Sequence, residues 1–172
     1  MRTGGRVMPL ELFFDLVFVL GLTQCTAFMA HEPSWEGLVK GLLILGVLWW
    51  SWIGYSWLTS VVDPEEGVVR LVLITAMAAM LVVALAIPEA FGDYGLLFAG
   101  GYAVVRTAHI VLFTIASRGD PALRRSVTGL AVGTAVGVAL IATASFTDGT
   151  LQGVLWALAL GLDMSVPLLF WA

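Results

Sequence analysis

Six long apolar runs, separated only by short polar spacers, constrain this chain more than any other feature of its sequence. A helix that crosses the hydrocarbon core of a bilayer needs about 20 mostly apolar residues. Runs of that length are found at residues 10–30, 35–62, 68–87, 94–116, 125–145 and 151–172. Short spacers make consecutive helices antiparallel neighbours. We therefore predict an all-α, polytopic transmembrane bundle of six spans that forms a single domain, residues 1–172, with the lipid bilayer as its main partner.

The composition excludes several other classes of protein. Of the 172 residues, 60% are hydrophobic and 12% are charged, whereas soluble domains are about 45–50% apolar and about 25% charged. A soluble fold of this size could not bury so much apolar surface. The eight basic residues form no run, so no nucleic-acid partner is expected.

Helix-start signals stand in three of the spacers. Asp63 is the predicted N-cap before a proline, with Glu66 as the acid of a capping box. In a second spacer, Gly119 ends one helix, and Asp120 with the following proline begins the next. Ser34 is a third, weaker N-cap. We interpret all three as structural devices.

The distribution of basic residues predicts the orientation, because cytoplasmic loops of membrane proteins are enriched in Lys and Arg. If the N-terminus is cytoplasmic, the opposite face keeps one basic residue, Lys40, and the acids Glu32, Glu36, Glu89, Asp93 and Asp148. The cytoplasmic face then collects six arginines, which are Arg2, Arg6, Arg70, Arg118, Arg124 and Arg125. We therefore expect a multi-pass protein of the cell inner (plasma) membrane with a cytoplasmic N-terminus.

Charged residues inside predicted spans require a partner or a purpose, because a charge in a bilayer costs a few kcal/mol. Glu11 and Asp15 share one face of the first helix. Arg106 and His109 share a face of the fourth helix, with Tyr102 one turn earlier. We predict an intramembrane cluster in which Asp15 pairs with Arg106 and in which His109 and Glu11 take part. The cluster would either pin the two helices together or relay a proton or ion, and the sequence leaves both open.

Asp163, near the middle of the sixth helix and four residues before Pro167, is a secondary candidate. An acid at that depth beside a helix-breaking proline indicates a polar cavity or an interhelical hydrogen bond. Arg70 and Tyr102 are the other secondary candidates.

The fifth helix carries glycines four residues apart, Gly129, Gly133 and Gly137, a pattern that lets two helix backbones approach closely. Their partner helix could lie in this chain or in another copy.

No pattern in the sequence indicates an enzyme. The histidines, acids and single cysteine lack the spacing of a metal site, and no glycine-flanked serine forms a nucleophile elbow. No catalytic residue, metal or cofactor is therefore expected.

Several segments resemble the bacterial low temperature requirement A family. Residues 11–19 read ELFFDLVFV and are followed by LTQ at 22–24, a pattern similar to the family's signature. Residues 49–59, WWSWIGYSWLT, and 86–92, AIPEAFG, also fit the family's pattern. The resemblance implies a multi-pass bacterial membrane protein and assigns no catalytic residue. Its recurring polar positions are matched by Glu11, Asp15, Arg70, Arg106 and His109.

Members of that family are considerably longer, with a later His-x-x-Glu-Arg segment that is absent here. We therefore expect the chain to be the N-terminal part of a longer protein, with the missing C-terminal helices or further copies of the chain as partners. Three functions stay open, and a membrane-embedded enzyme is the least supported of them, because nothing in the sequence supplies a nucleophile or a metal site. The favoured one is a transporter or channel-like protein that uses the buried polar cluster. The alternative is a non-transporting membrane structural or stress-adaptation factor that acts through partner binding.

Overall fold

A computed structural model describes the backbone of residues 9–63 and 66–171, with side chains described up to residue 165. Six long helices and one short 3-10 helix account for nearly all of these residues, and the described part contains no strand. The helices are α1 Pro9–His31, α2 Trp35–Val61, α3 Gly67–Ala86, α4 Gly95–Ala116, α5 Pro121–Ala144 and α6 Gly149–Trp171, with the 3-10 helix Ile87–Glu89 between α3 and α4. The all-helical prediction is confirmed.

Five of these helices are long and apolar enough to cross a membrane: α1, α2, α3 with its 3-10 extension, α4 and α5. Their lengths of 22 to 27 residues correspond to about 33–40 Å at a rise of about 1.5 Å per residue. A helix satisfies its backbone hydrogen bonds within the segment, which is why apolar stretches of this length fold as helices. The sixth span and the orientation stay predictions, and Arg2 and Arg6 lie outside the described residues.

Two of the predicted helix starts are confirmed. Ser34 accepts a hydrogen bond from the backbone N–H of Gly37. Asp120 accepts from the N–H groups of Ala122 and Leu123, and the preceding Gly119 has a φ of 98°, which a residue with a Cβ rarely adopts.

The third predicted start, with Asp63 as N-cap, is wrong. Helix α3 begins at Gly67, and its N-cap is Glu66, whose side chain makes no capping hydrogen bond. The Asp63 carbonyl accepts from the N–H of Glu66, which closes a turn and delays the helix. Pro64 lies outside the described residues.

Helix α4 has one face buried in the bundle and the other face exposed. The most extensive contacts join α3 to α4 and α5 to α6, while α1 packs mainly against α2 and α3. Helix α4 also contacts α2 and α5, and α2 reaches α6. The buried face of α4 is therefore enclosed by several helices, and the polar side chains that it carries meet protein groups.

Candidate functional site

A buried ion pair joins α4 to α6. The Nη2 atom of Arg106 lies 3.0 Å from Oδ1 of Asp163, and the two residues are 1% and 3% exposed. Charges removed from water to this degree are costly unless they are paired and hydrogen-bonded. Together the two side chains are formally neutral, so the bundle encloses no net charge at this point.

Two further side chains, Tyr102 and Thr134, form hydrogen bonds with this ion pair. The Tyr102 hydroxyl donates to Oδ2 of Asp163, so both carboxylate oxygens have a donor. Arg106 Nη2 also donates to Oγ1 of Thr134 in α5, at 3.2 Å. The Arg106 side chain thus connects α4, α5 and α6. Among the described residues, Arg106 Nε is the buried side-chain nitrogen or oxygen that has no hydrogen-bond partner.

His109 extends this buried network by one group. Its Nδ1 lies 3.3 Å from Arg106 Nη1, and the residue is 7% exposed. A guanidinium has five N–H donors and no acceptor, so Nδ1 must accept this hydrogen bond through its lone pair. The bond therefore assigns His109 as a neutral imidazole that carries its proton on Nε2.

The register of α4 explains why these side chains meet. Tyr102, Arg106 and His109 are spaced four and three residues apart, so they lie on one face of the helix. All three are buried. On α5, Gly137 lies near the same point, where a Cβ would be 3.7 Å from the Ala159 carbonyl of α6. A Cβ at Gly137 would make ordinary van der Waals contacts with the Ala159 carbonyl and, at 3.8 Å, with Asp163 Oδ1, so α5 and α6 are closely packed beside the ion pair.

An aromatic contact holds His109 against α2. Its ring lies 5.3 Å from the Tyr55 ring, and the Tyr55 hydroxyl donates to the Val105 carbonyl. Beside Tyr55, Gly54 leaves the space that the imidazole occupies, because a Cβ there would lie 2.2 Å from His109 Cε1. Gly54 is thus needed for the observed position of His109.

A second polar region, which we call the acidic pocket, opens between α1, α2 and α3. Its volume is about 220 Å³, and it holds both carboxylates of α1, Glu11 and Asp15. Trp52 Nε1 donates to Oδ1 of Asp15 at 3.1 Å, and the Trp52 ring stacks on Phe18 at 5.6 Å. Its full lining is Leu10, Glu11, Phe14, Asp15, Trp52, Ser56, Thr59, Ser60, Leu73 and Met77.

Aromatic rings connect the acidic pocket to the buried pair. Phe14 lines the pocket, and its ring centroid lies 5.0 Å from that of Tyr55. Tyr55 in turn contacts His109, which is bonded to Arg106. Phe14 and Tyr55 therefore stand between the open carboxylates and the enclosed network.

The predicted pairing of Asp15 with Arg106 is wrong in this structure. Arg106 binds Asp163, and Asp15 is exposed in the acidic pocket with Trp52 as its partner. The reason is packing: α1 lies mainly against α2 and α3, so its acidic face meets Trp52 rather than α4. The structure does bring Arg106 and His109 together, and it places Glu11 beside Asp15 in the pocket.

Two of the three secondary candidates belong to the buried network, and the third does not. Asp163 and Tyr102 both belong to the buried network. Arg70 is exposed in the first turn of α3 and takes no part in it. Of the three glycines in α5, Gly137 is buried against α6 of the same chain, while Gly129 and Gly133 are partly exposed.

Sequence reasoning missed several residues of the site. Thr134 is one of four hydroxyl-bearing residues in α5, and its place three residues before Gly137, on the same helix face, is the signal that could have identified it. Tyr55 and Trp52 lie in an aromatic-rich segment, where periodicity alone does not distinguish site from core. Among the described residues, no group of three or more His, Cys, Asp and Glu side chains could hold a metal ion.

Comparison with known proteins gives a family match over nearly the whole chain. The family profile described as bacterial low temperature requirement A protein (LtrA) matches residues 6–171. An uncharacterised protein of Rhizobium meliloti is 34% identical over 158 residues, which cover 91% of this chain and 39% of that protein. The chain thus spans about two fifths of the length of this curated relative. No solved structure matches the chain.

Proposed function

The chain belongs to the bacterial low temperature requirement A family, and from that premise we propose that it is a multi-pass transport protein of the bacterial inner membrane. The transported species would be a proton or another small ion, and its route would pass the acidic pocket, His109 and the pair of Arg106 with Asp163.

The buried network is the observation that carries this proposal. Ionisable residues inside a membrane bundle are rare, and they commonly mark ion pathways and proton relays. Arg106, His109, Asp163 and Tyr102 are all at least nine-tenths buried and are bonded to one another. A cluster of mutually bonded ionisable groups inside a helical bundle is the kind of site at which proton and ion relays operate.

The acidic pocket is a second feature that supports the proposed ion transport. Two carboxylates at the mouth of a route raise the local concentration of cations, and low-dielectric walls strengthen that effect. Glu11 and Asp15 occupy such a position, separated from His109 by the rings of Phe14 and Tyr55. The acidic pocket is open and the buried network is closed, and the rings of Phe14 and Tyr55 link the two. A gated pathway would use an open region and a closed region of this kind.

The positive-inside rule supports a cytoplasmic N-terminus. Among the described residues, the exposed arginines stand at the α3 start and around the α4–α5 turn. The α1–α2 and α5–α6 turns, on the opposite face in an alternating bundle, carry acids and no arginine. On this orientation, the acidic pocket opens towards the cytoplasm. The arginines are Arg70, Arg118, Arg124 and Arg125.

Ion flux through the full-length protein in liposomes tests the proposal. Gradients of protons, Na⁺ and K⁺ would be applied in separate experiments, with Asp163→Asn as the test variant and Asp148→Asn as its control. The control makes the same chemical change at an exposed position at the start of α6. We expect flux of one ion, its loss in Asp163→Asn, and parent-like flux in Asp148→Asn. Absence of flux for every ion in the folded parent protein would reject transport.

A structural role is the second candidate, and one observation favours it. Arg106 bonds to Thr134 of α5 and Asp163 of α6, so it fastens three helices with one side chain. A non-transporting membrane factor that acts through partner binding would need such a clamp to hold its surface in shape. On this account, variants of the network that still fold would keep full biological activity.

A further inference from the structure

The hydrogen bond between Arg106 and His109 is possible in only one protonation state. Arg106 Nη1 can only donate, so His109 Nδ1 must offer a lone pair. A second proton, added at Nδ1 while Nε2 keeps its own, would leave two donors facing each other and would place an imidazolium beside a guanidinium. Like charges at this distance repel strongly where water is excluded. Protonation of His109 and its bond to Arg106 therefore exclude each other.

We propose that His109 is the proton-binding residue of the transport site and that its protonation releases Arg106. The proposal rests on the proposed transport function and names the transported species as a proton. An incoming proton binds the lone pair on Nδ1, and the imidazole becomes an imidazolium. The bond from Arg106 Nη1 breaks, while Arg106 keeps all of its own protons. Loss of the proton from Nδ1 restores the lone pair on that atom and the original bond.

Protonation of His109 would act on the polar groups that surround its ring. Arg106 and Tyr102 lie on the same helix as His109, and Asp163 of α6 is hydrogen-bonded to Arg106 and to Tyr102. Helix α2 contributes Tyr55, whose hydroxyl is held by the Val105 carbonyl, and α5 contributes the uncharged Thr134. The network of Arg106, Asp163 and neutral His109 has no net charge. One added proton makes it cationic, and the new repulsion acts on Arg106.

Helix α1 supplies the carboxylates that lie nearest to a route of entry. Asp15 and Glu11 stand in the acidic pocket, and Phe14 and Tyr55 lie between them and His109. Two successive ring contacts, Phe14 to Tyr55 and Tyr55 to His109, link the lining of the pocket to the imidazole.

The close packing of the network favours a proton over a larger ion. Arg106 is 1% exposed, Tyr102 and Asp163 are each 3% exposed, and His109 is 7% exposed. Their side chains contact one another directly, and the Gly54 backbone lies against the imidazole. A metal cation needs several oxygen ligands around it, whereas a proton needs one lone pair. His109 Nδ1 is such a lone pair.

The matched variants are His109→Gln and His31→Gln, which alter the chain's two histidines. Glutamine at position 109 can accept the hydrogen bond from Arg106 but cannot take up a proton at neutral pH. The variant therefore keeps the hydrogen bond and loses the proton-binding group. His31 is exposed at the end of α1 and serves as the control. Proton flux through the full-length protein would be measured in liposomes with a trapped pH-sensitive dye, over a range of external pH.

We expect proton flux to fall by more than about tenfold in His109→Gln and to match the parent in His31→Gln. Parent-like flux with an unchanged pH profile in His109→Gln would overturn the proposal. Flux of Na⁺ or K⁺ without protons in the parent would also overturn it, while leaving the proposed transport function intact.

A second measurement needs no variant at position 109. In the parent protein with ¹⁵N-labelled histidine and arginine, the imidazole nitrogen shifts report which ring atom carries the proton, and the guanidinium signals report on Arg106. We expect His109 to be protonated on Nε2 alone at neutral pH and to become doubly protonated as the pH falls, with a simultaneous change in the Arg106 guanidinium signals. Protonation of Nδ1 in the neutral state, or titration without any change at Arg106, would overturn the proposal whether or not flux is observed.

Discussion

Two aspartates of this molecule, Asp15 and Asp163, lie in opposite environments. Asp163 is 3% exposed, and its two oxygens accept from Arg106 and Tyr102. Asp15 is exposed in the acidic pocket and accepts a hydrogen bond of 3.1 Å from Trp52 Nε1. Both interrupt apolar helices, so the sequence marks them as equally costly.

The different environments of Asp15 and Asp163 show that the role of an acid in an apolar helix depends on its surroundings. A buried carboxylate depends on its partners, because without them it keeps the full cost of desolvation. An open carboxylate keeps its contact with solvent and loses little when a partner is removed. We therefore expect Asp163 to control stability and Asp15 to control what enters the pocket.

The largest effect should come from breaking the buried pair. Arg106→Ala should lower the free energy of unfolding by about 3–5 kcal/mol, because it leaves the Asp163 carboxylate buried without its cation. The measurement is unfolding in detergent micelles, followed by loss of helical signal. Asp163→Ala should cost a similar amount, and the double variant should cost clearly less than the sum of the two. Additive losses would show that the two residues do not stabilise each other.

An intermediate effect should come from filling the space beside His109. In Gly54→Ala the new methyl group would lie 2.2 Å from His109 Cε1, so the imidazole must move away from Arg106. Overpacking of this kind costs about 1–3 kcal/mol. The matched control is Gly100→Ala on α4, where nothing lies within 4 Å of the added Cβ. There the better helix propensity of alanine should leave stability unchanged or raise it. Equal effects of the two variants in thermal unfolding would contradict a specific role for Gly54.

The smallest effect on stability should come from the acidic pocket. Asp15→Asn keeps an oxygen that can accept from Trp52, and the site is exposed. Its free energy of unfolding should stay within about 0.5 kcal/mol of the parent, although the proposed function predicts slower proton entry. A loss as large as that of Arg106→Ala would mean that the two aspartates do not differ as the structure indicates.

Much of the fold could be predicted from the sequence, and less of the site. The helix bounds at α1, α2 and α4 differ from the predicted runs by one residue at most. Arg106, His109, Asp163 and Tyr102 were identified as unusual because polar groups stand out in apolar helices. Their partners were harder to predict. Thr134 and Tyr55 are ordinary residues in sequence, and they matter only because of what they contact.

The sequence by itself determined where the helices lie and which residues interrupt their apolar surfaces. The reason is local, since an apolar helix satisfies its own backbone hydrogen bonds within about one turn. Only the tertiary structure decided that Arg106 binds Asp163 rather than Asp15. That choice depends on which helices are neighbours and how each is rotated. Both are set by packing between segments far apart in the chain, including the close approach of His109 to Gly54.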